Sequence, residues 1–307
     1  MQCDEKFIGV SLSHAIRGLR LQAFSTEINQ RRLSQPLLSR CPQNSGLLQR
    51  FDARFLEEEK HKILVQPLKR FVLEHLMASN KRLKILCIHG YRQSGQTFRE
   101  KTGSLRKLLK NHAEFVYITA PHKVPPGNLG SAAASESEAS CDTPQEKNDE
   151  NGWWFSREDD YFKSTDYSNI SKGFQASVDM IISVLENPPD GGFDGILGFS
   201  QGACLVSMLC LLQQKEQKNW FKFAVLVAGF KSRSSNHDIF YLHQAAIPSL
   251  HVYGETDRII STEMSQELLQ YFENPTTLIH SGGHFVPASG QQKKMYFDFF
   301  DKMLTAS

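Results

Sequence analysis

The sequence predicts an α/β fold, a three-layer sandwich with about six parallel strands between two layers of helices. Two patterns predict it. From Leu83 to the C-terminus, short apolar runs alternate with longer stretches of helical spacing. The apolar runs also lack in-out alternation, so each strand is expected to be buried on both faces, and an interposed helix makes each strand parallel to the next. A chain of 307 residues that is 40% hydrophobic has enough apolar side chain to bury such a core.

Taken in order, LKILCI (83–88) reads as the first strand and precedes a helix over Phe98 to Lys110; FVYITA (115–120) reads as the second. Residues 124–152 are rich in Ser, Ala, Glu, Pro and Gly and hold too few apolar groups to offset ordering entropy, which predicts a mobile surface loop of low complexity. Trp153-Trp154-Phe155 stands directly after it. Three large aromatics there either anchor the core or wall an apolar substrate pocket. A helix follows over Phe174 to Leu185, then DGILGF (194–199) leads into QGACLVSMLCLLQQ. FKFAVLVAG (221–229) leads into a polar connection, with Phe230 at its start a fourth candidate for the pocket. PSLHVYG (248–254) precedes TEMSQELLQYF, and TTLIH (276–280) precedes QQKKMYFDFFDKML.

Residues 1–76 differ from the rest: arginine-rich and turn-rich over RRLSQPLLSRCPQNSGLLQRF, then the charge run EEEKHK and a modest amphipathic stretch. Met77-Ala-Ser-Asn-Lys-Arg before the first strand has the look of a natural start, so residues 1–76 are expected to be a poorly ordered extension or to reflect an upstream start, with residues 77–307 the folded domain. A mitochondrial transit peptide is the alternative, weakened by the early acids Asp4 and Glu5.

Composition excludes several classes. The net charge of +2, without a basic face interleaved with aromatics, argues against nucleic acid as a partner. No run approaches the roughly 18 apolar residues of a membrane span. Six cysteines without a Cys-x-x-Cys pair, three of them in strand-like or helix-like runs, suit a reducing compartment. The expectation is a cytoplasmic protein, with a nuclear pool allowed, in which the sequon Asn169-Ile170-Ser171 is idle.

Gly198-Phe199-Ser200-Gln201-Gly202 is the stretch that carries chemistry. A Gly-x-Ser-x-Gly alone is weak, but here an apolar strand ends at the serine and a helix begins, the sharp turn that projects a nucleophilic hydroxyl above a sheet. Gly198 and Gly202 fit positions too close-packed for a Cβ. The helix N-terminus brings free N–H groups and a favourable dipole for an oxyanion. Serine is a poor nucleophile at neutral pH without a base and a group to orient it. Of eleven histidines, His280 and His284 follow the start of the last strand; His284, in a loop after two glycines, is the better placed. The preceding loop, Gly254-Glu255-Thr256-Asp257, offers the acid, and Asp257 suits the reach to the imidazole better than Glu255. The loop after the first strand, His89-Gly90-Tyr91, should supply a second oxyanion donor, the Tyr91 N–H beside that of Gln201, with His89 holding the loop by hydrogen bonding. Taken singly, a helix cap, a loop acid and a loop histidine are bland features. Together they fall at three strand ends in order, on the edge where open α/β sheets bind ligands.

These residues, with the stretches LCIHGYRQSGQTFREKTGSLRK, GWWFS, FDGILGFSQGA, LHVYGETDRII and HSGGHF, resemble the small serine hydrolases of the α/β-hydrolase superfamily typified by the fungal family of serine hydrolases. The likeness runs from about residue 81 to the C-terminus, and Ser200, Asp257 and His284 fall on that group's triad positions. What it implies is a carboxylic-ester hydrolase without metal or cofactor, acting on a small apolar ester with an unbranched acyl or alkyl chain. An acyl thioesterase would share the triad, and a non-catalytic ligand receptor would share the shell.

Overall fold

The computed structural model describes residues 82–126, 150–188 and 191–306. The expectations for residues 1–76, for Met77 and for most of the low-complexity segment lie outside the described residues. Six strands form one sheet: β1 (Leu83–Ile88), β2 (Ala113–Ile118), β5 (Gly195–Phe199), β6 (Phe223–Val227), β7 (Ser249–Gly254) and β8 (Thr276–His280). Every pairing is parallel, in the order β2-β1-β5-β6-β7-β8. The central strands β5, β6 and β7 are buried at every residue, which is why their sequences run apolar without alternation. A short antiparallel pair, β3 (His122–Lys123) with β4 (Asn151–Gly152), lies outside this sheet.

Helices cover the sheet for recognisable reasons. In α3 (Phe174–Glu186), buried Phe174, Ser177, Val178, Ile181 and Leu185 recur at helical spacing and make one apolar stripe. In α6 (Gly290–Ala306), Tyr296, Phe299, Phe300 and Met303 do the same, with the rings of Phe299 and Phe300 edge-on to Phe223 of β6. The helix after β5, α4 (Gln201–Lys215), is buried almost all round, so its apolar residues show no stripe. The remaining helices are α1 (Gly95–Lys101), α2 (Gly103–Leu108) and α5 (Thr262–Leu269), the last capped by Ser261 Oγ accepting from Met264 N.

Three expectations are corrected. The single helix over 98–110 is two, parted at Thr102, whose hydroxyl bonds the Phe98 carbonyl and the Tyr117 hydroxyl. The second strand lies two residues earlier than expected, starting at Ala113. The loop expected at 124–152 is shorter at both ends: Val124 is buried and its N–H donates to Glu150 O, while Asn151 and Gly152 form β4. The polar connection after β6 contains a 3-10 helix, Ser235–Phe240.

The sheet order places β1 and β5 side by side, and the chain leaves them in opposite directions, to β2 on one side and toward β6, β7 and β8 on the other. That is the topological switch point, and because all strands are parallel, their C-terminal ends share one edge. The loops that follow β1, β5, β7 and β8 therefore meet there.

Candidate active site

Ser200 ends β5 and opens α4 with φ 54° and ψ −116°. A non-glycine residue at positive φ costs about 1–3 kcal/mol and persists only where its surroundings over-determine it. Here the Ser200 N–H donates to Val227 O at 2.9 Å, tying the turn to the end of β6. Both flanking glycines are required by close approach. A Cβ on Gly198 would lie 2.6 Å from Ala203 Cα, and one on Gly202 2.3 Å from Ile88 O and 2.4 Å from His89 O. Gly202→Ala should therefore push α4 away from the backbone after β1 and destabilise the protein by at least about 1–3 kcal/mol. Calorimetric melting checks this; an unchanged midpoint would mean that the strand–helix contact has room for a methyl group.

Asp257 follows β7 and His284 follows β8, neighbouring strands joined by the Glu255 N–H donating to His280 O. His284 Nδ1 lies 2.7 Å from Asp257 Oδ2, with the two side chains only 12% and 1% exposed. Asp257 Oδ1 accepts from the Ile259 and Ile260 amides, each at 2.9 Å. Burial alone would raise this carboxyl, but the hydrogen bond and charge of His284 with those two amides hold it below the ordinary aspartate value. A carboxylate with all its neighbours donating requires Nδ1–H on the imidazole, which leaves the Nε2 lone pair free. The His284 ring packs on Phe199, the residue before Ser200, with centroids 4.8 Å apart. Among the described residues the Ser200 hydroxyl forms no hydrogen bond to the imidazole; such pairs are often loose in the free enzyme and tighten around substrate.

The competing assignments differ visibly. Glu255 is exposed, and its carboxylate makes no hydrogen bond or ion pair with a histidine among the described residues. His280 makes no hydrogen bond or ion pair with a carboxylate among the described residues; its Nδ1 accepts from the Gly282 N–H at 3.2 Å. The other histidine–carboxylate pair among the described residues, His112 with Asp301, sits beside the start of β2 at the opposite edge of the sheet. His237 and His251 are buried, and burial lowers them to about 4 and about 3.

The N–H groups of Tyr91 and Gln201 have no acceptor among the described residues. Gln201 is the first residue of α4, where such orphan donors are inherent. The loop bearing Tyr91 is held tightly. Ala120 N–H donates to His89 Nε2 at 2.9 Å, so Nδ1 carries the proton and donates to Gly90 O at 2.7 Å. Arg92 takes φ 60°, its N–H donating to Asn151 O, and its guanidinium meets Glu150 at 2.8 Å. Sequence reading missed this partnership of β4 with the loop, because Asn-Gly is locally a turn signal and the pairing partner is nearly sixty residues away.

The four aromatic candidates, Trp153, Trp154, Phe155 and Phe230, are at most 4% exposed. Trp153 backs the loop after β1, its indole N–H donating to His89 O at 2.8 Å. Trp154 packs edge-on to Phe162 and Phe174, and Phe162 in turn touches Tyr91 and Phe230. Phe162 was not singled out from the sequence; no local pattern marks it. Its segment also reaches the acid loop, where Ser164 Oγ donates to Ile259 O. Tyr91, Phe162 and Phe230 thus form a packed aromatic cluster between the β1 loop and the segment bonded to the β7 loop, with Phe162 and Phe230 in the hydrophobic core. Among the described residues no cluster of three or more His, Cys, Asp or Glu side chains is placed to hold a metal ion, and no helix is long and apolar enough to cross a membrane.

A family model described as serine hydrolase (FSH1) matches residues 77–296. The chain belongs to this serine hydrolase family. It is 47% identical over 232 residues to Esterase OVCA2 of Xenopus tropicalis, covering 74% of this chain and 96% of that one. Against Esterase OVCA2 of Homo sapiens it is 40% identical over 232 residues, covering 74% and 99%. A solved structure, Arabidopsis thaliana SOBER1, superposes with a TM-score of 0.48 at 16% identity, over 73% of this chain and all of that one, 100%. Membership of the FSH1 family makes the chain a hydrolase.

Proposed function

We propose that this serine hydrolase cleaves carboxylic esters with apolar, straight-chain acyl or alkyl groups, through an acyl-enzyme on Ser200. The observation that carries the reading is the Asp257–His284 hydrogen bond, lying against Phe199 beside a serine at φ 54°. His284 Nε2 takes the Ser200 proton as Oγ bonds to the ester carbonyl carbon. The carbonyl electron pair moves onto oxygen, where the Tyr91 and Gln201 N–H groups receive it. The tetrahedral species collapses as the C–O bond to the alcohol breaks, and His284-H⁺ delivers its proton to the departing oxygen. Water then attacks the acyl carbon with His284 again as base, and the acid leaves with Ser200 restored. Asp257 holds the imidazole in the Nδ1–H tautomer and stabilises its cation. The apolar contacts of Phe162 and Phe230 beside Tyr91, and the names of the relatives as esterases, support an apolar ester as substrate.

A fluorophosphonate probe and matched substrates test this. Ser200 should be labelled, and among isomeric esters the straight chains should have the higher kcat/KM. An unlabelled Ser200 would leave a ligand receptor in a hydrolase shell. Thioesters turned over much faster than their oxygen analogues would instead make the enzyme a thioesterase.

A further inference from the structure

Gln201 is fully buried, with 0% exposure, although it is polar and follows the nucleophile. Its side chain does not point toward the reacting atoms. Oε1 accepts from Trp153 N at 2.9 Å and Nε2 donates to Trp154 O at 2.8 Å. The orientation of the amide is dictated by these partners, since an N–H must meet the oxygen and a carbonyl the nitrogen. The same short tract holds the other side of the site. Asn151 exchanges backbone hydrogen bonds with Arg92 and Gln93 at 2.9 and 3.0 Å, and the Trp153 indole binds His89 O. Gly152 sits so close to the Tyr91 ring that a Cβ there would come within 3.0 Å of it. Ser177 Oγ anchors the tract from behind, donating to Trp153 O at 2.5 Å.

We infer that residues 151–154 act as one splint for both oxyanion donors and that the Gln201 side chain is the positioning group coupling it to α4. This rests on the hydrolase reading above. An oxyanion hole is effective only if its donors are already aimed where charge develops. The Gln201 N–H projects from a strained turn and the Tyr91 N–H from a loop with Arg92 at positive φ. Neither is fixed by an acceptor of its own, so their spacing depends on what ties helix to loop. A glutamate at 201 could accept from Trp153 N–H but not donate to Trp154 O, and would bring a buried charge. Only a side-chain amide serves both.

The test compares Gln201→Met, which keeps length and volume, with the wild-type enzyme. Misaiming one donor should lower kcat about 10- to 100-fold with KM within about twofold. Affinity for a trifluoromethyl ketone, which places an oxyanion in the hole, should fall by the same factor. Ser177→Ala loosens the same tract from behind without removing the Gln201 bonds; it should lower the melting point and reduce kcat by less than Gln201→Met does. If Gln201→Met does not fold, Trp153→Phe, which removes the indole bond to His89 O, decides: a smaller fall in kcat matched by weaker ketone binding is expected. Folded variants with wild-type kcat and ketone affinity would overturn the role, as would a Ser177→Ala loss of kcat equal to that of Gln201→Met. A wild-type protein that neither hydrolyses esters nor takes a fluorophosphonate at Ser200 would end the hydrolase reading and this role with it.

Discussion

Ser200→Ala should lower ester turnover on the order of 10⁵- to 10⁶-fold and abolish fluorophosphonate labelling, with the melting temperature close to wild type or above it. The expected size follows from what is lost. On the proposed mechanism, the variant without Oγ forms no acyl-enzyme and offers His284 no serine proton, and any residual acceleration would come from binding and from the Tyr91 and Gln201 amides. Stability should not suffer, because the hydroxyl makes no hydrogen bond among the described residues. Alanine also tolerates φ 54° no worse than serine does. Turnover at the wild-type rate in this variant would remove Ser200 from the mechanism.

Asp257→Asn should cost about 10⁴-fold in kcat at neutral pH. The amide can still accept from the Ile259 and Ile260 N–H groups through one atom, so the loop should hold its shape. Toward His284, an amide NH₂ in place of Oδ2 favours the wrong tautomer, with the proton on Nε2 and no lone pair facing Ser200. A second consequence concerns acid stability. The Asp257 carboxyl is held below its ordinary value in the folded protein, so it contributes stability at pH above the unfolded aspartate value. That contribution fades as pH falls through the folded value. Melting curves of wild type and Asp257→Asn should thus differ near neutrality and converge in acid. A variant of undiminished activity would transfer the role to Glu255, which is exposed.

Much of the architecture was legible in linear form because each signal is local. Short unalternated apolar runs bounded by turn residues read as strands buried on two faces, and β1, β5, β6, β7 and β8 appear where those runs fall, to within two residues at either end. Gly198 and Gly202 were readable as packing glycines because a strand-to-helix turn brings α4 against the backbone of its neighbours wherever it occurs. The misreadings share a different origin. Thr102 breaks a helix through a bond to Tyr117, a residue of β2. Composition places Asn151 and Gly152 in a loop, yet their backbone is paired with His122, Lys123 and Gln93. In each case a partner distant in the chain outweighed the local preference.

By itself the sequence determined the parallel sheet, the turn at Ser200, and the order in which a serine, an acid and a histidine arrive at strand ends, since these follow from periodicity and nearest-neighbour sterics. Only the tertiary structure decided which acid meets which imidazole, because Glu255 and Asp257 are chemically alike and their reach depends on how β7 and β8 pair. It likewise turned Gln201 inward to the two tryptophan peptides and buried the aromatic tract behind the loop after β1. Hydrogen bonds spanning more than forty residues form only after the sheet has brought their ends together, and nothing in the neighbourhood of either end records them.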